Sequence, residues 1–457
     1  VALLALAGCA MPARHVAQKP VIDNPATQGA FHEGDAGVVA QDLPARWWHL
    51  YDDPVLDALE EQALAANTDL RVAQASLLRA HAASDAARGQ RDPNFSADFA
   101  AERARLSGES YLLSEPIPVS TLGTGQVEMS YQIDLFGRIK HSIEVARADE
   151  EATQAVIGAV KVTLAAEVAR SYIAVCGANE DLELAEEALA LQGRALDVAK
   201  RLQAAGRVST MDVTAAQARY EQVRARIPAE RARGRAALYR LAYLMGRVPG
   251  EYPREAEACK EMPQLKAPLP VGDGAALLRR RPDVRVAERR LAAATARIGV
   301  ATSELYPSIG IGLSGGSNGF LSDLGQAAAN MWAAGALIHW NIPNAASRAR
   351  VRAAGADADG ALAHFDGVVL GALRETETAL NAYAQDRDRT VAIVAARAAA
   401  DKSADEARRL RAGGKSPLLA DIGSQQGAIG ARASELSARE GLAQDQVTLF
   451  LALGGGW

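Results

Sequence analysis

Along QVEMSYQIDL (126–135) apolar and polar side chains alternate without a break: Val127, Met129, Tyr131, Ile133 and Leu135 against Gln126, Glu128, Ser130, Gln132 and Asp134. A period of two marks a strand with one apolar and one polar face. Past Gly137 the period turns helical, and no proline occurs before Pro228. Phe95, Ala97, Phe99 and Ala101 alternate in the same way, so residues 93–136 are expected to form a β-hairpin. A single helix over 138–204 would be about 100 Å long at about 1.5 Å per residue, too long for a globular domain. Within it Leu182, Leu189 and Leu196 recur every seven residues, as do Leu184, Leu191 and Val198. Two such seams require a neighbouring helix on each flank. The turn at Ala204–Arg207 ends this helix, and a return helix is expected over 211–245 with a kink at Pro228.

The second half repeats the first. Asp69-Leu70-Arg71-Val72-Ala73 matches Asp283-Val284-Arg285-Val286-Ala287, and Pro93 matches Pro307, at an offset of 214. Leu202, Gly206, Gln217, Leu241 and Gly246 match Leu410, Gly414, Gln425, Leu449 and Gly454 at an offset of 208. The unit that repeats is a helix opening at Asp53-Pro54 and running to about Arg88, a hairpin, a very long helix, a tight turn and a return helix. The expected layout is a signal-peptide remnant at 1–8 and an anchored, extended linker at 9–44. A first repeat at 45–246, an irregular segment at 247–274 and a second repeat at 275–457 follow. The second repeat is expected to hold a hairpin at 307–342 and helices at 345–412 and 418–453.

Composition narrows the class. Apolar residues make up 49% of the chain but aromatics only 5%, which suits closely packed helices better than a large globular core. A net charge of −5 argues against a nucleic-acid partner. No run of 18 apolar residues occurs, so no transmembrane helix is expected. Leu6-Ala7-Gly8-Cys9 has the form of a lipobox, and Cys9 is expected to carry the acyl anchor. Cys176 and Cys259 do not by themselves declare a disulfide framework, and Cys176 is expected to be a small buried apolar residue.

Membrane contact is expected from strands instead. In NMWAAGALIHWNI, Trp332, Ile338 and Trp340 fall on one side. Trp332 and Trp340 would lie about 26 Å apart at about 3.3 Å per residue, close to the apolar band of about 25 Å in outer-membrane barrels. Four strands cannot close a barrel, and open edges are not tolerated in lipid, so several chains must share one. Phe95, Phe99, Met129, Tyr131, Ile133, Trp332, Ile338 and Trp340 are the expected lipid-facing residues.

Enzyme signatures fail on context. Gly310-Ile-Gly312-Leu-Ser-Gly315 falls in a strand with no helix opening after it. Gly315-Gly-Ser317-Asn-Gly319 is expected to be loop residues between two strands, not a nucleophile elbow. The seven histidines form no i,i+4 pair and no cluster with cysteine, so no metal site, cofactor or catalytic residue is expected. The acidic run Glu180-Asp181-Leu182-Glu183 with Glu186-Glu187 reads as a solvated helix face.

Trp47-Trp48, Asp53-Pro54, Asn67-x-Asp69-Leu70, Asp134-Leu135-Phe136-Gly137-Arg138, Arg281-Pro282-Asp283-Val284 and Tyr306-Pro307 resemble the outer membrane factor (TolC-like) family, in its lipoprotein NodT-type branch. The likeness covers about residues 45–454. It implies a mainly α fold with β: a homotrimer with a shared 12-stranded barrel in the bacterial outer membrane and an α-helical barrel in the periplasm. It also implies a periplasmic adaptor, an inner-membrane pump of the RND type, and passive export of drugs or metal ions. An exit duct for secreted polypeptides is the alternative transport reading, and a lipid-anchored coiled-coil scaffold the alternative of another class. Carried over, the adaptor-facing tips are Gly206, Arg207, Val208, Ser209 and Gly413, Gly414, Lys415, Ser416. Asp212, Asp421, Arg408, Arg409 and Arg411 become the gate candidates.

Overall fold

The computed structural model describes residues 19–33, 37–109, 112 and 114–455. Cys9 and the rest of the expected signal remnant lie outside the described residues. In chain order the elements are β1 (Val38–Val39), α1 (Pro54–Ala66), α2 (Thr68–Gly89), β2 (Asn94–Ala104), β3 (Ser120–Ile133), α3 (Arg138–Ala204), α4 (Thr210–Arg224) and α5 (Arg226–Leu244). Then come α6 (Arg254–Glu257), β4 (Leu269–Pro270), α7 (Gly274–Arg280), α8 (Pro282–Ser303), β5 (Ser308–Phe320), β6 (Asn330–His339), α9 (Ala345–Ala412) and α10 (Leu418–Ala452). The fold is mainly helical, with one four-stranded antiparallel sheet in the order β2-β3-β5-β6. The chain divides into a sheet unit, which includes 76–153 and 287–365, and a helical unit of 20–75, 154–286 and 366–457.

Two breaks differ from the sequence expectation, each for a local reason. The helix expected from Asp53 to Arg88 is interrupted at Asn67. The Asn67 side chain accepts from Leu70 N at 3.0 Å, so it caps α2, and donates to Leu244 O at 2.9 Å. The return helix breaks at Ala225, three residues before Pro228. Proline lacks an N–H and its ring clashes with the carbonyl four residues back, so the ladder ends at Arg224.

The duplication is visible in hydrogen bonds. Arg281 stands where Asn67 stands in the first half and donates to Ala452 O at 2.8 Å, the counterpart of Leu244 O. Four helices end in the same Schellman pattern. Arg207 N to Leu202 O, Arg247 N to Ala242 O, Lys415 N to Leu410 O and Gly455 N to Phe450 O all close within 2.8–3.1 Å. The glycines at these ends, Gly206, Gly246, Gly414 and Gly454, all have φ between +65° and +71°, a region where a side chain is disfavoured.

The core of the helical unit joins Trp47, Trp48, Leu56 and Leu59 to Val168, Ile173, Leu241, Val447 and Phe450. Trp47 stacks on Phe450 with ring centroids 4.4 Å apart. One window of α3 is apolar enough to cross a membrane by composition, but half of it is buried inside the protein, and α3 supplies Leu164 to Cys176 of this core. The two leucine seams of α3 meet different partners. Leu191 and Ala195 pack with Ile422 of α10, while Leu196 and Ala199 pack with Ala216 of α4.

The structure adds to three further expectations. Cys176 and Cys259 form a disulfide across 83 residues, with Cα atoms 5.2 Å apart; sequence spacing carries no sign of it, because α3 and the 247–274 segment meet only in space. The acidic run on α3 keeps Glu183, Glu186 and Glu187 exposed, as a solvated face would, but is also an ion-pair seam. Asp181 pairs with Arg233 at 2.5 Å, Glu186 with Arg231 at 3.2 Å, Glu187 with Arg432 at 3.2 Å and Glu180 with Arg439 at 3.5 Å. The arm before Trp47 is docked: Val38–Val39 pair in parallel with Leu269–Pro270, Val21 N donates to Asp366 at 2.7 Å, and His32 N and Glu33 N donate to Glu377 at 2.9 and 3.1 Å.

Candidate functional site: a two-faced sheet and two helix tips

Register assigns every strand residue to a face, because directly opposed residues in an antiparallel pair point the same way. Phe95 opposes Met129, Met129 opposes Leu313, and Leu313 opposes Ala334. Tyr131 opposes Ile311, which opposes Ala336, and Ile133 opposes Ile309, which opposes Ile338. Val127 opposes Gly315, which opposes Trp332. Phe95, Phe99, Met129, Tyr131, Ile133, Trp332 and Ile338 therefore lie on one face. Trp340 follows β6 at the same parity, and its indole N–H donates to Leu305 O at 3.1 Å. Phe95 is 70%, Phe99 71% and Trp332 83% exposed, so the described residues leave this apolar face largely bare. In water such a face would be strongly unfavourable.

The opposite face carries Asn94, Ser96, Asp98 and Glu102 of β2, Thr124, Gln126, Glu128, Ser130 and Gln132 of β3, and Ser314 and Asn318 of β5. Gly310, Gly312 and Gly316 line the same face, so the GxGxxG match is strand backbone. The Gly315–Gly319 match also lies inside β5, correcting its expected place in a loop. β6 shows Met331, Ala333, Gly335, Leu337 and His339 on this side, so it is mostly apolar on both faces, with Asn330 and His339 at its ends.

The joint between strand and helix is built by DLFGR. Alternation places Asp134 on the polar face, but the structure turns it elsewhere: its carboxylate accepts from Ile139 N at 3.0 Å and Lys140 N at 2.8 Å, closing the N-terminus of α3. Phe136 stacks on Tyr306 with centroids 4.7 Å apart, and Gly137 takes φ +77°. In the second half Trp340, Ile342 and Pro343 occupy the corresponding joint.

The two helix tips of the helical unit end their helices alike but are closed differently. At the first, Gly206, Arg207 and Ser209 are exposed and Val208 is half-buried. Ser209 and Asp212 form a capping box, with Ser209 N donating to Asp212 at 2.9 Å and Asp212 N to Ser209 Oγ at 3.3 Å. The hydroxyl and backbone N–H of Ser209 hold the Asp212 carboxyl below the usual carboxylate range. At the second tip, Gly413, Gly414 and Lys415 are exposed and Ser416 is half-buried. Asp421 is fully buried, accepting from Arg411 at 2.9 Å and Gln425 at 2.8 Å. Burial alone would raise its pKa, but those bonds outweigh it and the net shift is downward. Arg408 pairs with Asp405 at 2.9 Å, and Arg409 is exposed. Asp212 and Asp421 are thus already engaged within their own hairpins. Among the described residues no group of three or more His, Cys, Asp or Glu side chains is placed to hold a metal ion.

The family model described as "Outer membrane efflux protein" matches residues 59–247 and 275–455, one segment in each half. Nodulation protein T of Rhizobium leguminosarum bv. trifolii is 28% identical over 461 residues, covering 99% of this chain and 96% of the relative. The cation efflux system protein CusC of Escherichia coli O157:H7 is 26% identical, with 99% and 97% covered. Among solved structures, the outer-membrane channel OprN superposes with a TM-score of 0.87 at 32% identity, over 97% of this chain and 99% of that one. Two family matches in tandem, a duplicated hairpin-and-helix unit and a sheet with one bare apolar face agree with one another: the chain belongs to the outer membrane efflux protein family and is an outer-membrane efflux channel.

Proposed function

We propose that three copies of this chain close one twelve-stranded barrel in the outer membrane and act as the exit duct of a tripartite efflux system. The carrying observation is the sheet: four strands whose outer members, β2 and β6, are edges, with an apolar face that the described residues leave largely bare. Unpaired edge groups are not tolerated in lipid, and three copies of four strands give an even-numbered barrel within the known range of about 8 to 26 strands. The apolar face meets lipid and the polar face lines water.

In this reading the exposed tips at Gly206–Ser209 and Gly413–Ser416 meet a periplasmic adaptor, which links the duct to an RND-type inner-membrane pump. The duct itself has no chemistry to perform; small molecules, drugs or metal ions among them, pass through it once the tips separate. Opening is a shift between two packings biased by partner contacts, and the α3–α10 contact of Leu191 and Ala195 with Ile422 is the packing to be released. Asp212, Asp421, Arg408, Arg409 and Arg411 border that transition. Cys9 serves as a lipid anchor. The docked arm supports this, because it runs from Glu377 to Asp366, toward the end of α9 that joins β6. Light scattering of the full chain in detergent tests the assembly: a protein mass of three chains is expected, and a monodisperse monomer or dimer contradicts it. Mass spectrometry of the mature N-terminus tests the anchor, with an acylated Cys9 expected.

A further inference from the structure

The duplication lets one half of the helical unit serve as a reference for the other. α3 begins at Arg138 and α9 at Ala345, an offset of 207 residues, and the same offset carries burial down both helices. Val162, Ala169 and Ile173 of α3 are buried, and so are their counterparts Val369, Thr376 and Leu380 of α9. Three other counterparts differ in size or polarity. Where α3 has Val168, Tyr172 and Val175, all buried in the core, α9 has Glu375, Ala379 and Ala382. Tyr172 fills its place with a phenol ring, and its hydroxyl donates to the Asp53 carboxylate at 3.1 Å. Ala379 supplies neither ring nor hydroxyl.

Beside Ala379 the described residues leave a cavity of about 610 Å³, within the range of about 300–1,000 Å³ common for small-molecule sites. Its walls are mostly apolar, with Val162 of α3, Ala379 and Ala382 of α9 and Leu451 of α10 among them. Two carboxylates also line it. Asp283 is taken up by Arg281, in bonds of 2.7 and 3.0 Å, and by Val284 N at 3.0 Å. Glu375 accepts from Arg281 at 2.9 Å through one oxygen. Its other oxygen has Arg374 only at 3.5 Å and keeps a lone pair for a further donor. A ligand entering here meets what the Tyr172 ring meets in the first half, apolar packing and a carboxylate. We propose that this cavity is a binding site for a phenolic small molecule, whose ring packs on Val162, Ala379 and Leu451 and whose hydroxyl donates to Glu375. The bound ring takes the place of the missing tyrosine and ties α9 to α3. The site lies wholly within the helical unit, so it stands whether or not the sheet closes a barrel.

2-Naphthol is the probe, and 2-methoxynaphthalene, which keeps the ring but lacks the donor, is its comparator. Calorimetric titration of the purified full-length protein in detergent should show saturable binding of 2-naphthol at one site per chain. The ether should bind at least about tenfold more weakly, the equivalent of one hydrogen bond to a charged acceptor. Bound 2-naphthol should also raise the melting temperature, since a ligand held by the folded state alone stabilises it. A379Y puts the ring of the first half into the cavity. It should fold, melt at least as high as the unmodified protein without ligand, and lose saturable binding. Uptake that only rises in proportion to 2-naphthol, as partition into detergent does, overturns the proposal, and so does undiminished binding by A379Y. Equal affinity for the ether overturns it as well, and that comparison needs no substitution, so it decides even if A379Y fails to fold.

Discussion

Replacing both Cys176 and Cys259 by serine removes the one covalent link between α3 and the segment that joins the two repeats. The closed loop spans 83 residues and contains the last part of α3, the first tip, α4 and α5. Loop-closure entropy gives about 3 kcal/mol for a 15-residue loop and about 4.7 for 100, so about 4.5 kcal/mol is expected here. Some non-covalent attachment survives the substitution. Asn179 donates to Glu257 O at 3.1 Å and Cys259 O at 2.8 Å, and Met262 N donates to Glu180 at 2.8 Å. These bonds hold the folded segment but do not restrain the unfolded chain, so they leave the entropic term intact. Urea titration of the purified protein, followed by circular dichroism, should show a lower midpoint for C176S/C259S. Reductant should shift the unmodified protein the same way once both thiols are reduced. Limited proteolysis should cut within 247–274 earlier in the variant. Equal midpoints and equal proteolysis, or two alkylatable thiols in the non-reduced protein, would refute the reasoning.

Two further substitutions probe buried carboxyls of the helical unit. Glu60 is fully buried, neither carboxyl oxygen has a hydrogen-bond partner, and burial together with Asp57 pushes its pKa well above the usual range. A raised folded-state pKa favours the fold below the unfolded value and loses that contribution as pH rises through the folded value. E60L should therefore stabilise the protein at pH 8, by about 1–3 kcal/mol, with the gain shrinking toward pH 4 in thermal melts. A gain independent of pH would contradict the assignment. Asp421 has the opposite sign: its pKa is depressed, so its contribution is present above the unfolded value and is lost as pH falls through the folded one. D421N should weaken the second tip by about 1.5–3 kcal/mol, the range for a hydrogen bond to a charged group. Amide exchange should quicken across 410–425, and no local change there would sink the idea.

The period-two runs exposed both hairpins and both faces of the sheet, because a side chain's face in a strand depends on parity alone. Internal offsets found the duplication for a similar reason: Gly206 and Gly414 close the same turn, so the same residue recurs. What depended on distant packing was hidden. Cys176 and Cys259 meet only after α3 and the inter-repeat segment dock, and the arginines that pair with the acidic run of α3, Arg231, Arg233, Arg432 and Arg439, come from other helices. Asp134 misled by parity: it continues the alternation of β3, yet the helix N-terminus at Ile139 and Lys140 claims its carboxylate. Asn67 carried a readable signal, since an asparagine followed by Thr-Asp is a cap sequence, and its hydrogen bond to Leu244 O adds a long-range restraint no local pattern shows.

The central claim is that one face of the sheet meets lipid and the other meets water. Nitroxide labels placed singly at 126 to 133 of the protein in liposomes test it by collision with oxygen, which partitions into lipid, and with a water-soluble nickel complex. Labels at Val127, Met129, Tyr131 and Ile133 should be open to oxygen and shielded from nickel, and labels at Gln126, Glu128, Ser130 and Gln132 the reverse. A strand whose eight positions all respond to nickel alone, or show no period of two, would contradict it.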